Sequence, residues 1–191
     1  MKKVLLLLAE GFETFEASVF IDVIGWNLEQ GDGSTRLFTC GLKKEIKTSF
    51  DQHFIVDYLI DEIDVGTFDA LAIPGGFEIY NFYNDAYNEK FLNIIREFKL
   101  KNKIIASICV GALPVGKSGI LKGKRGTTYN MPVRREALQS FGVTVVNEPV
   151  VMEDHIITSW NPSTAMDVAL LLLELLTTPS NANHIRSLMG F

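Results

Sequence analysis

The feature that most constrains this sequence is an uninterrupted apolar run, Val4 to Leu8, which recurs in similar form further along the chain. A strand without polar alternation is covered on both faces, and such strands belong to parallel sheets packed between helices. Segments with helical spacing of apolar residues separate the runs, so this alternation predicts an α/β fold with a mostly parallel central sheet. The predicted strands are 4–8, 36–40, 54–58, 69–73, 103–108, 143–146 and 155–159, and the predicted helices are 13–30, 85–101, 133–141 and 162–176.

Length and composition exclude several classes of protein. The 191 residues suit one domain, expected to span 1–191. The net charge of −5 argues against non-specific nucleic-acid binding, which needs a basic face. No segment approaches the roughly 18 apolar residues of a membrane span, and two cysteines make neither a disulfide framework nor a zinc site. We therefore expect a cytoplasmic protein that binds no metal, nucleic acid or membrane.

Three turns are expected to meet at one edge of the predicted sheet. Parallel strands bring their carboxyl ends to the same edge, and ligands bind there in open α/β sheets. The turns at 9–15, 74–76 and 109–111 each follow a buried apolar run. The sequence therefore predicts a ligand site between these three turns.

Cys109 lies in the third of these turns, between a predicted strand and a helix. The stretch Ser107-Ile108-Cys109-Val110-Gly111 resembles a nucleophile elbow, in which a sharp turn pushes a nucleophile out of the sheet. The start of a helix there would stabilise a thiolate and offer N–H groups to an oxyanion. A buried cysteine that acts only as a small apolar side chain is an equally good interpretation from position alone.

Glu16 is the second candidate, because it lies on the apolar face of the first predicted helix. It precedes Phe20 by four residues and Val23 by seven, so it points toward the sheet edge. Burial there would raise the pKa of its carboxyl and keep it protonated, so that it donates a hydrogen bond to a nearby thiolate. The alternative is an ordinary first-turn acid that favours the helix dipole.

Four stretches in this order carry a family resemblance: "LLLLAEGFETFEASVFIDV", "FDALAIPGG", "IIASICVGA" and "GTTYN". They resemble the ThiJ/PfpI family, in particular its Parkinson disease protein 7-like deglycase branch, within the class I glutamine amidotransferase-like superfamily. The resemblance runs from residue 3 to about residue 176.

The resemblance implies a flavodoxin-like three-layer sandwich. It makes Cys109 the reactive cysteine and Glu16 its carboxyl partner, with the backbone of Gly76 and Val110 as an oxyanion pocket. It further implies a homodimer with the site near the interface. Tyr129, Gly75 and Pro162 are candidates for lining the site, and Phe12, Phe15 and Val19 are candidates for the dimer surface.

The chain departs from the family pattern where histidine or arginine is common. Val110 stands directly after the cysteine, where the protease-like branch carries histidine, and Tyr129 stands where the deglycase branch often has one. The segment 159–162 lacks the arginine of that branch. None of the three histidines, at 53, 155 and 184, lies at a matching position. A cysteine peptidase needs a base and an acid at the nucleophile, so these departures disfavour peptide hydrolysis.

The leading hypothesis is a cofactor-independent enzyme of the glyoxalase or deglycase type that acts on small reactive carbonyls. Cys109 would add to the carbonyl carbon to form a hemithioacetal, and Glu16 would shuttle a proton. The alternative is a redox-sensing or stress-response chaperone-like protein whose Cys109 is oxidised. A PfpI-type cysteine peptidase is a third hypothesis. Cys40 is predicted to be a buried core thiol.

Overall fold

A seven-stranded sheet forms the centre of the computed structural model, which describes residues 1–191. In chain order the strands are β1 (Lys2–Leu8), β2 (Thr35–Gly41), β3 (Glu45–Lys47), β4 (His53–Ile55), β5 (Tyr58–Leu59), β6 (Ala70–Ile73), β7 (Ile104–Ser107), β8 (Arg125–Gly126), β9 (Thr144–Val145), β10 (Val150–Glu153) and β11 (Ile156–Ser159). The central sheet has the order β10-β11-β7-β6-β1-β2-β5, and only β10 runs antiparallel to its neighbour. Residues 4–8 of β1 are completely buried, as the apolar run predicts.

Helices cover both faces of this sheet. They are α1 (Thr14–Gln30), α2 (Phe82–Ala86), α3 (Glu89–Leu100), α4 (Ala112–Lys117), α5 (Pro132–Ser140), α6 (Ala165–Leu176) and α7 (Pro179–Leu188). Helices α1, α6 and α7 pack together, and α3, α4 and α5 form a second group. The predicted three-layer α/β sandwich with a mostly parallel sheet is confirmed. No helix is both long enough and apolar enough to cross a membrane.

Several predicted elements differ from those observed. The predicted strand 54–58 is divided: β4 pairs with β3 outside the central sheet, whereas β5 is the edge strand beside β2. The carboxylate of Asp57 causes the division, because it accepts hydrogen bonds from the N–H and hydroxyl of Thr39 at 2.8 and 2.9 Å. The predicted helix 85–101 is also divided, and Asn88 caps the start of α3 through the Lys90 N–H at 3.0 Å. Strand β9 pairs with β8 rather than joining the central sheet, and β10 and α7 were not predicted.

A buried amide joins the first helix to the last. The Asn27 side chain donates to the Thr35 hydroxyl at 2.8 Å and to the Asp32 carboxylate at 2.9 Å. Its carbonyl oxygen accepts from the Asn181 side chain at 2.6 Å. Asn27 is completely buried, so these partners replace the water that it loses on folding. The network holds α7 against α1.

We expect Asn27→Ala to destabilise the fold by about 3 kcal/mol, because it removes the hydrogen bonds of this side chain to Thr35, Asp32 and Asn181. Urea unfolding would measure the loss. Asn183→Ala is the matched control, since Asn183 is exposed on α7, and it should stay within about 0.5 kcal/mol of the parent. Equal stability of the two variants would contradict the structural role of this network.

Candidate active site

The three predicted turns meet at the carboxyl edge of the sheet. The Glu13 N–H donates to the Gly75 carbonyl at 2.8 Å, and the Phe77 N–H donates to the Gly11 carbonyl at 3.0 Å. Gly11 has a φ of +66°, and a Cβ there would lie 2.7 Å from the Cβ of Tyr80, so only glycine fits this turn. The first turn is thereby fixed against the second.

Cys109 follows β7 in a strained backbone conformation. Its φ is +57°, in the left-handed region that a residue with a side chain rarely adopts. A single tight turn, 109–111, leads into α4, and a Cβ on Gly111 would lie 2.7 Å from the Ile73 carbonyl oxygen. The Thr128 hydroxyl donates to the Cys109 carbonyl at 2.9 Å and holds the turn in place. The predicted sharp elbow is present in the structure.

The Glu16 carboxyl lies completely buried beside the cysteine, on the face of α1 that the apolar pattern predicts. Its Oε2 accepts the Gly75 N–H at 2.6 Å, and the carboxyl also contacts the Cys109 side chain. Its Oε1 has no hydrogen-bond partner. Burial raises the pKa of Glu16 to about 8, although the Gly75 N–H and Cys109 act in the opposite direction. Glu16 therefore keeps its proton at neutral pH.

The Cys109 thiol differs from the thiolate that the sequence predicts. It is only 9% exposed, and burial raises its pKa, to which a charged Glu16 would add. The Val110 N–H donates to the sulfur and lowers the pKa, but α4 begins only after the turn and has six residues. The neighbouring helix dipole is therefore small, and at neutral pH both members of the Cys109–Glu16 pair are protonated.

A cavity of about 310 Å³ opens above this pair. Gly76 lies in its wall, and the Gly76 N–H makes no hydrogen bond within the protein. Gly75 lies behind the pair, where a Cβ would come within 2.9 Å of the Glu16 Oε2. The residues that line the cavity are Glu13, Glu16, Gly76, Phe77, Glu78, Cys109, Val110, Tyr129, Met131, Val133, Arg134 and Pro162.

Five of the lining residues were not predicted from the sequence: Glu13, Glu78, Met131, Val133 and Arg134. The Arg134 guanidinium donates to Glu78 at 2.8 Å and lies 5.3 Å from the ring centre of Tyr83. Met131, Val133 and Arg134 belong to the short segment that follows the "GTTYN" motif. Their closeness to that motif was the one indication in the sequence that they could lie near the site. Only the folded chain brings that segment over the cysteine.

Other residues named from the sequence lie away from the cavity. His53 is exposed and pairs with Glu45, and neither His155 nor His184 lines the site. Cys40 is completely buried, and burial raises its pKa to about 12, in agreement with a core thiol. No group of three or more His, Cys, Asp or Glu side chains is arranged to hold a metal ion.

The candidates for a dimer surface need a correction. Phe12 is buried and packs edge-on against Phe54 at a ring separation of 5.7 Å, because the bridge to Gly76 draws it inward. Val19 is buried on the inner face of α1. Of the three candidates only Phe15, 54% exposed, offers apolar surface to a partner.

The fold and the site together define an α/β sandwich protein with a cysteine at a strand-to-helix elbow and a buried carboxylic acid beside it. The sequence profile described as the DJ-1/PfpI family matches residues 2–175. This chain belongs to the DJ-1/PfpI family, and the resemblance found in its motifs is confirmed.

Named relatives and solved structures agree with this membership. Protein DJ-1 homolog B of Arabidopsis thaliana is 28% identical over 173 residues, which make up 90% of this chain and 37% of the relative. A deglycase of Thermococcus kodakarensis is 30% identical over 163 residues, 84% of this chain and 90% of the relative. The crystal structure of Drosophila melanogaster DJ-1beta superimposes with a TM-score of 0.85 at 25% identity, covering 98% and 97% of the two chains. The chain thus spans well under half of its Arabidopsis relative.

Proposed function

We propose that this protein acts on small reactive carbonyls such as α-oxoaldehydes, in the manner of a glyoxalase or deglycase and without a cofactor. The observation that carries the proposal is the acid that keeps its proton beside the Cys109 sulfur at the base of a cavity of about 310 Å³. The free Gly76 N–H at the same cavity supports it, since an oxyanion that forms there would need such a donor. The deglycase named among the relatives is consistent with this chemistry.

The first half of the reaction makes a carbon–sulfur bond. The reactive form is the Cys109–Glu16 pair that has lost one proton, with the charge on sulfur and the proton on Glu16. The sulfur attacks the aldehyde carbon, and the π electrons of the carbonyl move to its oxygen. That oxygen takes the proton of Glu16. A hemithioacetal and a Glu16 carboxylate result.

The second half moves hydrogen between two neighbouring carbons. The Glu16 carboxylate takes the proton from the former aldehyde carbon and gives it to the neighbouring carbonyl oxygen, which forms an enediol. It then takes the hydroxyl proton of the first carbon and gives it to the second carbon. The first carbon is thereby oxidised to a thioester and the second is reduced to an alcohol, so no external oxidant is needed. Water then cleaves the thioester, which releases the hydroxy acid and one proton and restores the starting pair.

A redox-sensing role for the same residues is the second candidate. The unpartnered Oε1 of Glu16 favours it, because a protonated carboxyl there could donate to the oxygen of an oxidised Cys109. Selective oxidation of Cys109 by dilute peroxide, without any lactate formed from methylglyoxal, would support this role over catalysis. A peptidase function lacks support, since no histidine lines the cavity.

The pH dependence of lactate formation from methylglyoxal tests the proposed function. We expect kcat/KM to rise about tenfold per pH unit below the pKa of the pair and to level off above it. The midpoint should lie near 8, because the first proton leaves the pair with the raised pKa of Glu16. Buffer without protein provides the blank at each pH. Lactate at the blank rate, or a profile that is flat between neutral and alkaline pH, would contradict the proposal.

A further inference from the structure

The charges that face the cavity are unequal. Three carboxyl groups line it, those of Glu13, Glu16 and Glu78, against a single cation, Arg134. Glu78 holds the Arg134 guanidinium at 2.8 Å, and the ring of Tyr83 lies beside it. Since Glu16 keeps its proton at neutral pH, Glu13 contributes the one negative charge that has no counterpart in the cavity.

Glu13 is fixed where this charge acts on the reacting atoms. It occupies the position before the first residue of α1, yet its side chain makes no capping hydrogen bond to that helix. Its only side-chain hydrogen bond comes from the Ser49 hydroxyl at 3.5 Å, and no lysine or arginine forms a salt bridge with it. Its backbone N–H is bonded to the Gly75 carbonyl, which anchors it against the site. The charge of Glu13 contributes to the raised pKa values of both Glu16 and Cys109.

The rest of the wall offers no unpaired positive charge to an anion. Phe77, Met131 and Val133 are apolar, and the only guanidinium is already paired with a carboxylate. An anionic substrate would therefore lose water at its carboxylate without gaining an ion pair, and would in addition face Glu13.

We propose that Glu13 is a specificity-determining residue that restricts the cavity to uncharged aldehydes and excludes those that carry a carboxylate. This inference rests on the proposed function for its substrate class. Oxo acids are accordingly poor ligands of Cys109. Like charges a few Å apart at a protein surface interact by amounts that correspond to about tenfold or more in affinity.

Glyoxal and glyoxylate form a matched pair for the test, because both are two-carbon aldehydes and only the second carries a carboxylate. Each is titrated as a protectant of Cys109 against iodoacetamide, with alkylation read by mass spectrometry and Cys40 as the internal reference. We expect Glu13→Gln to lower the half-protecting concentration of glyoxylate about tenfold more than that of glyoxal, because any change in the pKa of the Cys109–Glu16 pair acts on both aldehydes alike. Glu29→Gln removes the same charge from the far end of α1 and should change neither.

The outcomes separate this inference from the proposed function. If Glu13→Gln changes the half-protecting concentrations of both aldehydes equally, Glu13 has a structural role. If it changes neither, Glu13 does not determine specificity. Either result overturns the inference. A selective change in a protein that makes no lactate would preserve the inference and defeat the proposed function.

A comparison within the parent protein covers the case in which Glu13→Gln does not fold. Methyl glyoxylate is the uncharged ester of glyoxylate. We expect it to protect Cys109 at a concentration at least about tenfold lower than glyoxylate does, after both are normalised to their addition to N-acetylcysteine. Equal protection by the ester and the acid would overturn the inference.

Discussion

Replacement of Cys109 by serine is expected to reduce lactate formation from methylglyoxal to the rate of the buffer, a loss of at least about a thousandfold. The hydroxyl of serine is a poor nucleophile unless a strong base takes its proton. Glu16, with a pKa of about 8, is too weak a base for an alcohol, and no histidine lines the cavity. Long incubations with lactate quantified against the protein-free blank would measure the residual rate.

Cys40→Ala is the matched control for the loss of a thiol. Cys40 is completely buried in β2 and does not line the cavity, so this variant should keep the parent rate within about twofold. Circular dichroism would establish that both variants are folded. If Cys109→Ser keeps more than about one per cent of the parent rate, the sulfur is not the nucleophile. The proposed function would then be wrong.

Glu16→Gln should lower kcat about a hundredfold to a thousandfold, because glutamine cannot donate and recover a proton. The amide oxygen can still accept the Gly75 N–H, which Oε2 accepts at 2.6 Å in the parent protein. The geometry around the elbow is therefore expected to persist while the proton shuttle is lost. A variant with the parent kcat would show that Glu16 takes no part in the proton transfers.

The same substitution should make the protein more stable at alkaline pH. The folded-state pKa of Glu16, about 8, lies above its ordinary value of 4.5. Stability from the buried neutral acid is therefore complete below pH 4.5 and is lost as the pH rises toward 8. By pH 7 the loss amounts to about 3 kcal/mol, and glutamine does not suffer it. Urea unfolding of both proteins near pH 4.5 and pH 8 would measure the difference, and an identical pH dependence of the two would contradict the assignment.

Much of the fold follows from short-range pattern in the sequence. Strand β1 and helix α1 lie within a residue or two of their predicted bounds, because continuous or helical apolar spacing has few alternatives once a core must form. The division of 54–58 depends on Asp57 reaching Thr39 in another strand. No local pattern contains that contact. Helix α7 is polar along much of its length, and its docking depends on the distant Asn27.

The site residues that could be predicted are those whose chemical type differs from that of their neighbours in sequence. Glu16 is a carboxyl within an apolar stripe, and Cys109 follows a buried apolar run. The flanking sequence therefore marks each of them as a candidate for the site. Glu13 and Arg134 lie near helix starts, where charged side chains are ordinarily solvated. The sequence therefore gives no reason to bring them to the cavity. Their roles arise only when the start of α5 closes over the cysteine.

The left-handed backbone of Cys109 has a consequence for laboratory evolution. Glycine adopts a φ of +57° without the steric penalty of about 1 kcal/mol that a side chain incurs. A library sorted for thermal tolerance alone would thus be enriched in glycine at position 109 and in neutral residues at position 16. Sorting of that kind would erase the reactive pair while it improved the scaffold. A thermostable descendant that keeps the reactive pair should therefore be obtained only by coupling the sort to retention of the free thiol.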